Sequence, residues 1–94
     1  MSSKDLVLNI AVNMDRISRF LQEGREKRVQ QFIHDTQIYL DQLEEENVDQ
    51  KFHTTLKKFK NEFEDIKKNA KYNEIWAEKA LNWANILQHR AKLA

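Results

Sequence analysis

The chain reads as an all-α protein, an antiparallel up-down bundle of four helices, or of three if two adjacent segments merge. Three observations predict it. Phe52, Leu56, Phe59, Phe63 and Ile66 recur at steps of 4, 3, 4 and 3, the stripe of a helix with one apolar face. The whole sequence holds one Gly and no Pro, so long helices go uninterrupted. The nine Phe, Trp and Tyr residues keep the helical phase, which separates this chain from a disordered one of equal charge.

The first helix is expected from about Lys4 to Gln22, with the stripe Ile10, Met14, Ile17 and Leu21 widened by Leu6, Val7 and Phe20. Ser3 is the expected N-cap, and Asp5 in the first turn suits the positive end of the helix dipole. Gly24 lies just past the last apolar residue, where a left-handed C-terminal cap belongs. The second helix is expected from about Arg25 to Glu46, carrying Val29, Phe32, Ile33, Thr36, Tyr39, Leu40 and Leu43. Its end, Glu44-Glu45-Glu46, opposes the dipole preference, so either lysines of the next helix compensate or the helix runs on. The phase slips between Leu43 and Val48, and Asn47 with Gln50 looks like a capping box, which favours a break at Asn47–Asp49.

The third helix, from about Asp49 to Ala70, carries the phenylalanine stripe. The fourth is expected from about Asn73 to Lys92, with the stripe Trp76, Ala80, Trp83 and Leu87, whose indoles either fill the core or form a row for a partner. Ala77, Ala84 and Ala91 recur every seven residues and form a ridge low enough for close helix approach. The link Asn69–Asn73 lacks Gly and Pro, so one kinked rod is the alternative there.

Ninety-four residues make a single domain, 1–94. The net charge of +1 hides blocks: +3 over 16–28, −6 over 35–49 and +4 over 51–71. Consecutive acidic and basic blocks neutralise each other if they fold back as a hairpin. No Cys is present, which excludes disulfides and thiolate metal sites. No run approaches the ~20 apolar residues of a membrane span. Leu6–Met14 is broken by Asn9 and Asn13, so no signal peptide is expected, and the expected location is cytoplasmic.

Chemistry finds few footholds. His34, His53 and His89 lack the Glu three residues upstream that bundle di-iron sites use. Glu23-x-x-Glu26 and Glu46-x-x-Asp49 match literally the paired carboxylates with which all-helical nucleotide pyrophosphohydrolases hold magnesium. An intervening helix would separate the pairs by roughly 30 Å. The single Gly cannot build a phosphate loop, and no Ser or Thr sits in a nucleophile elbow. No enzyme activity, cofactor or metal is expected.

The expected role is a small regulatory module that docks another protein, or a second copy of itself as a homodimer, through an apolar helix face. Tyr72, Trp76 and Trp83 are the first candidates for that face, and Leu8 and Val12 on the first helix the second. The alternative is a nucleic-acid-binding regulator contacting phosphates through Lys57, Lys60 and Lys67.

Overall fold

The computed structural model describes residues 1–94. Helix α1 spans Ser3–Glu23, α2 Glu26–Glu45, α3 Gln50–Asn69 and α4 Glu74–Arg90, followed by a 3₁₀ turn at Ala91–Leu93. Neighbours in sequence are antiparallel neighbours in space, and α4 returns antiparallel against α1. The result is an up-down bundle measuring 36 × 20 × 19 Å.

Each boundary has a local cause. Ser2 rather than Ser3 caps α1, its hydroxyl accepting from the Asp5 amide at 3.1 Å. The adjacent serines are equivalent in composition, and the extended backbone of Ser2 decides between them. Gly24 closes α1 at φ 69°, and its amide and that of Arg25 reach back to the carbonyls of Leu21 and Phe20. That left-handed position disfavours any residue with a Cβ.

α2 stops at Glu45, so the helix does not run on. An ion pair from Lys60 of α3 to Glu44 compensates its acidic end. The expected Asn47–Gln50 capping box does not form. Asp49 caps α3 instead, accepting from the Lys51 amide at 2.9 Å. Asn73 caps α4, accepting from the Trp76 amide at 3.0 Å, so α3 and α4 are separate helices and not one kinked rod.

The core is a cluster of 21 buried apolar residues. α1 supplies Leu6, Val7, Ile10, Ala11, Met14, Ile17 and Leu21, and α2 supplies Val29, Ile33, Leu40 and Leu43. α3 contributes Phe52, Phe59, Phe63 and Ile66, while Leu56 sits at the rim and Thr55 takes the buried place beside it.

α4 departs furthest from expectation. Its inward residues are Ala77, Ala80, Ala84 and Leu87, and Trp76 and Trp83 are rotated to a half-buried position. The reason is steric. α1 presents small side chains, Ala11 and Ser18, toward α4, and only the alanine ridge lets the two backbones close up. There the Ser18 hydroxyl donates to the Ala77 carbonyl at 2.6 Å, a buried bond between side chain and backbone.

Two substitutions test this seam by urea unfolding. Ser18→Ala removes the only polar tie across it and should cost about 1 kcal/mol. Ala77→Leu forces the helices apart and should cost about 1–3 kcal/mol.

Candidate functional site

Three surfaces carry side chains that the core does not use. The first is a groove between α1 and α4. Leu8, Ala11, Val12 and Asp15 line one wall, and Ala84, Asn85 and Gln88 line the other, around a volume of ≈ 310 Å³. Leu8 and Val12 are 42% and 48% exposed, well above the rest of the apolar residues of α1. They project from the same side one helical turn apart. Leu81 of α4 is a further exposed apolar side chain at 39%. Ala11 and Ala84 leave the floor low, which is the geometry of a hole for a large apolar side chain.

The second surface is the α3–α4 seam. Trp83 meets Phe59 with ring centroids 5.5 Å apart and planes tilted by 60°. Lys79 lies over the Trp76 ring, its ammonium 4.9 Å from the centroid. The same ammonium bonds Asp65 at 2.7 Å and Glu62 at 2.9 Å. Trp76 and Trp83 therefore help to join the two helices, while Tyr72 in the link is exposed. The aromatic row is neither wholly inside nor wholly outside.

Charges on α3 and α4 are tuned by their neighbours. Hydrogen bonds from Lys79 and then Asn69 hold the Asp65 carboxyl below its ordinary value of 3.8. Bonds to Asp65 and then Glu62 raise the Lys79 ammonium above 10.5. A hydrogen bond from Lys67 lowers the Glu64 carboxyl below 4.5.

The third surface is the lysine face of α3, and its members differ. Lys60 is paired with Glu44. Lys67 donates to Gln37 at 2.6 Å and pairs with Glu64 at 2.5 Å. Lys57 is exposed and faces open solvent beside Leu56 and Asn61. Two of the three candidate phosphate contacts are thus paired with groups of the same chain at its surface, which is the local neutralisation that consecutive charge blocks imply. Of the same-helix pairs, Asp15–Arg19 forms at 3.8 Å and Glu64–Lys68 at 3.9 Å. Glu23 pairs with Arg25, because the break at Gly24 removes Lys27 from its turn.

The two carboxylate pairs of the sequence lie at opposite ends of α2, separated by its 20 residues. His34, His53 and His89 are all exposed, and the latter two bond the carbonyls of Val48 and Asn85, each at 3.1 Å. No helix is long and apolar enough to cross a membrane. Sequence periodicity did not single out Lys51, Lys58 and Arg90, which share one groove with Trp83; they belong to different helices and meet only on folding.

No protein-family model, curated protein or solved structure matches the chain.

The Lys79 network predicts a pH signature. Asp65, with a lowered folded pKa, adds stability that is present above 3.8 and lost as pH falls through the lowered value. Lys79, with a raised folded pKa, adds stability that is present below 10.5 and lost as pH rises through the raised value. The difference in urea midpoint between the wild type and Lys79→Met should be level from about pH 5 to 10 and shrink on both sides. A difference independent of pH would assign the role of Lys79 to packing on Trp76 alone.

Proposed function

We propose that the protein is a non-catalytic, regulatory interaction module whose α1–α4 groove receives an amphipathic helix of a partner protein. The supporting observation is the pair Leu8 and Val12, which lie one turn apart and exposed above a floor made of Ala11 and Ala84. The inner side of α1 already supplies seven residues to the core, and these two outer residues are not among them. A partner helix bearing Leu or Phe at i, i+4 spacing would set those side chains between the walls, with Asp15, Asn85 and Gln88 as a polar rim.

A coiled-coil-like geometry follows from that placement, since a third helix laid in the groove runs nearly parallel to both walls. A second copy of the chain, offering its own α1, is one such helix and would make the module a homodimer. Tyr72, with Trp76 and Trp83 behind it, is the secondary docking surface of this reading. Phosphate binding through Lys57, Lys60 and Lys67 ranks below it, because Lys60 and Lys67 already hold Glu44, Gln37 and Glu64.

Affinity capture from lysate, with and without nuclease, tests the proposal when wild type and Leu8→Asp/Val12→Asp are run side by side. Both positions are exposed, so the variant should keep its melting temperature within a few degrees. A protein retained by wild type under nuclease and in high salt, and lost by the double variant, is the expected result. Sedimentation of both proteins separates a foreign partner from self-association. Capture that survives the double substitution, or that disappears with nuclease, overturns the proposal.

A further inference from the structure

A groove on the opposite side of α4, between it and the N-terminal half of α3, has the chemistry of an anion site. Lys51, Thr54, Thr55 and Lys58 line it from α3, and Trp83, Ile86 and Arg90 from α4, around a volume of ≈ 390 Å³. That volume falls within the range of small-molecule sites, about 300–1,000 Å³. Three cations line the groove and no carboxylate does.

The charge is asymmetric along the seam for a visible reason. The carboxylates of the α3–α4 interface, Glu62 and Asp65, sit toward the C-terminal end of α3, where Lys79 holds both. At the other end, Asp49 is turned back to cap α3 through the Lys51 amide. Lys51, Lys58 and Arg90 therefore make no ion pair within the chain, unlike Lys60, Lys67 and Lys79.

Their placement converges. Lys51 and Lys58 are two turns apart on one side of α3, about 10 Å along the axis. Arg90 reaches across from α4 to Thr55, midway between them, through a long contact of 3.5 Å. That contact leaves most of its five N–H donors uncommitted. The Trp83 indole forms the wall toward the centre of the bundle, held by Phe59 behind it. A cluster of unpaired cations beside a fixed aromatic wall suits a ligand with a phosphate at one end and a flat ring at the other. Inorganic phosphate has no use for the indole, and a purely apolar ligand leaves three charges unanswered.

We propose that this groove binds a nucleoside phosphate, with the phosphate held by Lys51, Lys58 and Arg90, the hydroxyls of Thr54 and Thr55 near the sugar, and the base against Trp83. The site is independent of the α1–α4 groove. The unit is either a free nucleotide or one residue of a single strand, since both present the same phosphate and base.

Titration of the ¹⁵N-labelled full chain with AMP, UMP, an octamer of each base, inorganic phosphate and anionic phospholipid vesicles distinguishes the possibilities. The expected result is a shift of the Trp83 indole resonance with a nucleotide or an octamer and no comparable shift with inorganic phosphate. Lys51→Glu/Lys58→Glu, two exposed changes, should weaken that binding at least about tenfold while leaving the fold intact. Tighter binding of the octamer, weakening linearly in log K as log salt rises, identifies a single strand as the source. Equal binding of AMP and of the octamer per nucleotide identifies the free nucleotide. The proposal is overturned if millimolar nucleotide and octamer leave the Trp83 resonance unmoved, if phosphate alone or vesicles produce the same shift, or if the double charge reversal has no effect.

Discussion

The close approach of α1 and α4 is the constraint on which the remaining structure depends. Two helices can draw together only where both present small side chains. Here Ala11 and Ser18 meet Ala77 and Ala84, and the Ser18 hydroxyl is anchored on the Ala77 carbonyl. A serine in a helix more often bonds the carbonyl one turn back in its own helix. Spending that hydroxyl on a neighbouring helix ties the two backbones in one register. Once α4 turns its alanines toward α1, its tryptophans must face sideways to α3, and its isoleucines and Leu81 are left outward.

The opposite side of the bundle is built on different terms. α3 meets the core through Phe52, Phe59 and Phe63, whose bulk holds its backbone farther from its neighbours than α4 stands from α1. Charged links at the rim complete its attachment: Lys60 to Glu44 and Lys67 to Gln37 on the α2 side, Lys79 to Glu62 and Asp65 on the α4 side. Exposed pairs of this kind each contribute little. The carboxylates of α3, Glu62, Glu64 and Asp65, all lie in its C-terminal half and are answered there by Lys79 and Lys67, while its N-terminal half carries cations alone. The bundle thus presents two unlike faces, an apolar groove beside α1 and a basic, aromatic groove beside α3.

The fold was largely legible in the sequence because amphipathic periodicity is a local signal. The buried faces of α1 and α2 follow the expected stripes, and Gly24 ends α1 in the left-handed conformation that its position implied. Misreadings fell where two local solutions were nearly equivalent. Ser2 and Ser3 both offer a capping hydroxyl, and Asn47 and Asp49 both offer a capping oxygen, so the path of the chain, not residue type, chose between them. The candidate surfaces were legible in part. Leu8 and Val12 were visible as residues beyond the inward stripe of their helix. The groove that they border was not, because its other wall lies more than seventy residues away in sequence.

By itself the sequence determined the helical class, the approximate ends of the helices, most of the inward face of the first three, and the absence of any thiol chemistry, while four helices or three stayed open. Tertiary structure decided the face of α4, the partner of each lysine, and which side chains share a groove. The physical reason is that α4 is apolar around most of its circumference, so periodicity allows it more than one inward face. Selection between those faces came from shape. The alanine ridge fits the small residues of α1, the indoles do not, and the outward placement of Ile75, Leu81 and Ile86 on α4 followed from that fit.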